Sequence, residues 1–192
     1  KIPISVDTYK PEVAEAALDL GACIINDITG LKNPIMKRLI AKYGAGVVIM
    51  HMKGMPRTMQ RNPRYKTVVD DVISFLKGSI ESAVCFGIPQ ESIIIDPGIG
   101  FGKTLEHNLR IIKSLEQLKI LGRPILIGTS RKSFIGKIIG QPAARPNAGA
   151  QRLAATISSN CLSVFNGARI IRVHDVKESR QALAVIDKIL SA

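Results

Sequence analysis

The sequence predicts an α/β fold of parallel strands joined by helical crossovers. Three observations predict it. Six short apolar runs alternate with longer stretches of helical period along the 192 residues. The runs are rich in Ile and Val and flanked by Gly or polar residues, as strands buried on both faces should be. Repeated strand–helix units pack as parallel sheets with right-handed crossovers. Two closures are open to such a chain: a doubly wound sheet, or a (β/α)₈ TIM barrel truncated to about six strand–helix units. A full barrel typically takes about 250 residues, so six units fit a barrel lacking two.

Each element follows in order. Residues 2–6 form an apolar run from the very start, with no Met and no lead-in. The chain is therefore expected to be part of a longer parent. The next runs are residues 23–25, 47–50, 93–95, 125–127 and 170–171. Helical spacing marks residues 11–20, 35–42, 68–86, 109–118, 149–165 and 177–190. Pro11 and Pro34 suit first helical turns, and Gly44, Gly87, Gly122 and Gly167 suit helix ends.

Nearly every run is followed at once by a chemically capable residue. These are Asp7 and Thr8, Asn26 and Asp27, His51, Asp96, the Gly128–Lys132 segment, and Arg172 with His174. Parallel α/β folds build their sites at the C-terminal ends of strands. Packing alone does not account for six such endings.

Composition narrows the function. The chain is 46% apolar and 22% charged, which fits one globular domain over residues 1–192. The net charge of +12 suits an anionic substrate or nucleic acid. Aromatics are only 4% and Trp is absent, so stacking platforms for nucleic acid are not expected. No run approaches the roughly 18 apolar residues of a membrane helix, and the N-terminus has no signal-peptide pattern. Cys23, Cys85 and Cys161 are odd in number and far apart. Reduced thiols in a cytoplasmic protein fit them better than disulfides or a zinc site.

Four segments carry chemistry. Residues 96–104 invite a phosphate-loop assignment, but the Walker pattern needs Gly where Pro97 stands, and the dinucleotide pattern needs Gly where Lys103 stands. What remains is Asp96 at a strand end before a Gly-rich loop that can approach a flat ligand closely. A carboxylate there can accept two hydrogen bonds from an amidine-like ring edge, or it can cap its own turn. Residues 128–134 place hydroxyls and two cations at a helix start, which suits an anion. Arg172 and His174 share one side by alternation and suit a phosphate or diphosphate; the alternative pairs Arg172 with Asp175. His51 is one His and no zinc site by itself. Residues 52–66 look like a long loop, whose Met residues could pad an apolar ring or fill the core.

Together these segments resemble dihydropteroate synthase. The matching stretches are Ser5-Val6-Asp7-Thr8, Ile25-Asn26-Asp27-Ile28, Met50 to Pro56, Asp96 to Lys103, Ser130-Arg131-Lys132-Ser133 and Arg172 to Val176, in family order and spacing. The resemblance implies a (β/α)₈ barrel. It implies condensation of 6-hydroxymethyl-7,8-dihydropterin diphosphate with para-aminobenzoate, usually with Mg²⁺, in an enzyme that sulfonamides inhibit and that usually dimerises. By resemblance Asp7, Asn26, Asp96 and Lys132 hold the pterin, and Arg172 and His174 the diphosphate. Phe101, Lys132 and Ser133 line the para-aminobenzoate pocket, and Lys132, Arg172 and His174 assist the reaction. The family's first two strand–loop units, which include its metal-binding loop, have no counterpart here, so this segment alone is expected to be inactive or nearly so. A pterin-binding methyltransferase and a non-catalytic pterin-binding remnant are the alternatives.

Overall fold

The computed structural model describes residues 2–141 and 150–192. Among them, six parallel strands alternate with helices. The strands are β1 (Ser5–Asp7), β2 (Ile24–Asp27), β3 (Gly46–Met50), β4 (Ile93–Asp96), β5 (Leu126–Ile127) and β6 (Ile170–Ile171). The helices are α1 (Pro11–Asp19), α2 (Pro34–Tyr43), α3 (Val68–Cys85), α4 (Leu105–Lys113), α5 (Ser133–Ile138), α6 (Leu153–Phe165) and α7 (Val176–Leu190). Strands β1 to β4 pair in sequence order, and β5 pairs with β6. A single bridge, Ile95 to Ile125, links the two sheets.

Local sequence sets the helix ends. Pro11 and Pro34 open α1 and α2, as expected, and the Asn33 side chain accepts from the Ile35 N–H at 2.8 Å. Gly44 ends α2 in the left-handed conformation. The helix expected at 109–118 starts earlier and breaks earlier. Thr104 and His107 form a capping box that starts α4 at Leu105. After Ser114 the chain tightens into 3₁₀ turns over Leu115–Leu121. The stretch expected at 149–165 forms a short 3₁₀ turn and then α6, with Gly149 outside the described residues.

Alternate side chains of the strands face the helices. Ile25, Val47, Ile49, Ile93, Ile95, Ile125 and Ile127 are fully or almost fully buried, in one core with Met36, Ile40, Leu76, Ile111 and Leu115. Truncating such a residue, Leu76 for example, costs about 2–5 kcal/mol. Burial on both faces, expected of every strand, fails for β1 and β6. β1 is mostly exposed and β6 half-buried. Among the described residues each has a strand neighbour on one side only. Ile2 and Ile4, beside β1, are 90% and 57% exposed.

Candidate active site

Register decides which side chains meet. Asp7 lies opposite Asn26, and Asn26 opposite Val48. Val48 lies opposite Ile94, two residues before Asp96. Leu126 lies opposite Ile170, two residues before Arg172. Side chains two apart share a face. Asp7, Asn26, Asp96 and Arg172 therefore project to the same, inner side. A cavity of about 360 Å³ opens there, lined in part by Asp7, Asn26, Val48, Leu126 and Arg172.

The polar groups are tied together. Asn26 Nδ2 donates to Asp7 Oδ1 at 2.7 Å, and Arg172 Nη2 donates to Asp7 Oδ2. The buried Asn26 Oδ1 has no partner among the described residues. Asp7 and Arg172 are both about half exposed, and such a pair is worth about 0–1 kcal/mol. An incoming anion can thus take Arg172 from Asp7 at small cost.

Asp96 is buried, and its Oδ1 accepts from the Gly98 N–H at 2.6 Å. The carboxylate does cap its own turn, but with one oxygen. Burial pushes its pKa up, opposed by the charges of Lys132, Lys103 and Arg172. Lys132 is drawn down to about 8, by burial first, with Asp96 opposing. Its Nζ donates to the Ile99 carbonyl and lies 4.9 Å from the centre of the Phe101 ring.

A second cavity, of about 170 Å³, is lined by Gly128, Ser130, Lys132, Arg172, Val173 and His174. Arg172 lines both cavities. His174 Nδ1 sits 2.9 Å from Ser130 Oγ, which also accepts from the His174 backbone N–H at 3.2 Å. The alternative pairing of Arg172 with Asp175 is overturned. Asp175 is held instead by Arg131, at 2.5 and 3.2 Å. Ser133 is exposed at the first residue of α5.

The other candidates are structural. Asp27 is fully buried and accepts from the Thr29 N–H and hydroxyl at 2.7 and 2.6 Å. Met52 is buried, whereas Met55 is 69% exposed. Among the described residues no three His, Cys, Asp or Glu side chains gather to hold a cation. No described helix is long and apolar enough to cross a membrane.

Residue-by-residue reading missed two supports of the site. Lys103, 3% exposed, donates to His51 Nδ1 at 2.8 Å and anchors the Gly-rich loop. Helix α6 buries a polar stripe, with Thr129 Oγ1 donating to Asn160 Oδ1 at 2.7 Å. The stripe had a signal: Arg152, Thr156 and Asn160 stand four apart, on one helical face.

A parallel-strand scaffold with acids and amides in one cavity and cations in the next defines a class: α/β proteins that hold a polar ring and an anion at the carboxyl ends of their strands. The family model described as pterin binding enzyme matches residues 1–174. The chain belongs to this family. It is 41% identical over 189 residues to the dihydropteroate synthase of Synechocystis sp., covering 98% of this chain and 64% of that protein. The dihydropteroate synthase of Thermus thermophilus in complex with 6HMPPP superposes with a TM-score of 0.91 at 43% identity, over 98% of this chain and 73% of that one. The same protein in complex with 4-aminobenzoate gives 0.90 at 44%, over 97% and 70%. The chain thus spans less than two thirds of the curated relative's length. Its fold is that of the TIM barrel, with six strand–helix units among the described residues and no pairing between β6 and β1.

Proposed function

We propose that this chain carries the pterin- and diphosphate-binding part of a dihydropteroate synthase, joining 6-hydroxymethyl-7,8-dihydropterin diphosphate to para-aminobenzoate. The observation that carries the reading is the shared face: Asp7, Asn26 and Asp96 stand beside Arg172, which also lines the cationic cavity with Lys132 and His174.

The chemistry follows from that charge layout. The bond between the pterin methylene carbon and the diphosphate oxygen breaks, and its electron pair leaves with diphosphate. Positive charge develops on the methylene carbon beside the Asp96 carboxylate. Negative charge develops beside Lys132, Arg172 and His174. Groups fixed in advance against both charges lower the barrier without reorganising. The arylamine nitrogen then donates its lone pair to carbon and releases a proton. Alignment supplies much of the remaining rate. Phe101, Lys132 and Ser133 would line the arylamine pocket. As the resemblance implies, Mg²⁺ would supply charge neutralisation on the diphosphate when bound. The reading extends to a cytoplasmic homodimer: the three cysteines are free, and the resemblance implies pairing of two copies.

Titration calorimetry tests this. Pterin diphosphate should bind more tightly than the free pterin alcohol. Arg172→Ala should weaken the ester by about tenfold or more and leave the alcohol nearly unchanged. Equal losses would make Arg172 structural. Preference for a methylated folate would favour the methyltransferase reading, which needs no diphosphate clamp.

A further inference from the structure

We propose that Lys103 is a positioning residue for the substrate loop: residues 98–102 fold around its buried ammonium, which thereby sets Lys132 against the pterin and Phe101 beside it in the arylamine pocket. The inference rests on the proposed function and deepens it.

Lys103 has three N–H donors and meets three acceptors: His51 Nδ1 at 2.8 Å, the Gly98 carbonyl at 3.0 Å and the Phe101 carbonyl at 3.1 Å. The acceptors match its donor capacity in number. His51 is buried, and burial first, then the charge of Lys103, holds its pKa down to about 3. The ring is therefore neutral, with Nδ1 the acceptor.

The rest of the loop is gripped from outside. Lys132 donates to the Ile99 carbonyl and Gln60 to the Gly100 carbonyl. Tyr65 Oη donates to the Gly102 carbonyl at 2.7 Å. All five carbonyls from Gly98 to Gly102 thus accept from a side chain. Lys103 alone takes two of them, one on each side of the Ile99–Gly100 turn. Turns held only by backbone do not need a buried cation. A lysine ammonium placed inside the core is costly, and burial lowers Lys103 to about 7, with Asp96 opposing. The cost is intelligible if the loop must present Phe101 and the Lys132 contact in one fixed geometry.

The test uses two probes on the whole chain, 6-hydroxymethylpterin and inorganic pyrophosphate. For Lys103→Met, the pterin Kd should rise about tenfold or more while the pyrophosphate Kd stays within roughly twofold. Unchanged pterin binding overturns the inference. So does a parallel loss of both probes, the mark of general loosening. A native chain that binds no pterin overturns the proposed function itself. If the variant does not fold, ¹⁵N NMR of the native chain decides. Pterin should shift the Lys103 ammonium resonance and pyrophosphate should not; a resonance unmoved by pterin overturns the inference.

Discussion

The β1–β4 region and the β5–β6 region hold their loops by different means. In the first, strands of three to five residues form a continuous sheet backed by buried Ile and Val. Its acid-bearing loop folds around one internal cation, Lys103. In the second, each strand is two residues long, too short to fix much. Its cation-bearing loop is gripped by buried polar groups on α6. Thr129 Oγ1 bonds Asn160 and lies 2.8 Å from Ser159 Oγ. Arg152 donates to the Arg131 carbonyl at 3.1 Å, and the Arg131 N–H donates to Thr156 Oγ1 at 3.3 Å. These bonds surround Arg131, whose φ of 59° is unusual for a non-glycine residue. An internal cation fixes the acid-bearing loop, and the neutral and cationic polar groups of one helix and its first turn fix the cation-bearing one.

That contrast can be broken from either side. The largest effect should come from Gly98→Ala. Gly98 has φ of 68°, and a methyl there would overlap the His51 carbonyl. Urea denaturation should show a loss of about 2–4 kcal/mol. A variant as stable as the native chain would mean the loop is not held rigidly. Next, Asp96→Asn should weaken pterin binding by about 2 kcal/mol or more and spare pyrophosphate. Unchanged pterin affinity would remove Asp96 from the site. In the other region, Asn160→Leu should cost about 1–2 kcal/mol of stability, because Thr129 loses a buried acceptor. It should weaken pyrophosphate more than pterin; the opposite order would contradict the division of labour.

A further test is pH dependence. Folding lowers Lys103 to about 7 and Lys132 to about 8, from an ordinary 10.5. Between those values and 10.5 the unfolded chain binds more protons than the folded one. Stability should therefore rise with pH across that window. Thermal melts from about pH 7 to 10 check it, and Lys103→Met should flatten the rise. A steeper rise in the variant would contradict the assignment.

Strands and helices were legible because short continuous apolar runs and a 3.6-residue period leave distinct marks, and Gly and Pro punctuate the ends. The residues at the strand ends could be named because each follows an apolar run at once, and the register of the structure carries Asp7, Asn26, Asp96 and Arg172 to one face. The resemblance to known synthases added their roles. Sequence did not reveal partners set by three-dimensional approach. Nothing near Arg172 predicts Asp7, 165 positions away, and adjacency suggested Asp175, which Arg131 takes. Lys103 passed as a departure from a glycine pattern, since burial of a lysine leaves no periodic trace. The exposure of β1 and β6 is not written in their own apolar runs, which look the same whether or not a neighbouring strand covers them; it follows from the two unpaired edges expected of a barrel short of two units.

One measurement bears most directly on the central claim, a single cleft shared by pterin and diphosphate. A crystal structure of this chain with pterin diphosphate should place the ring edge against Asp96 and Asn26 and the diphosphate against Arg172 and His174. A ligand bound elsewhere, or a diphosphate pointing away from Arg172, would contradict it.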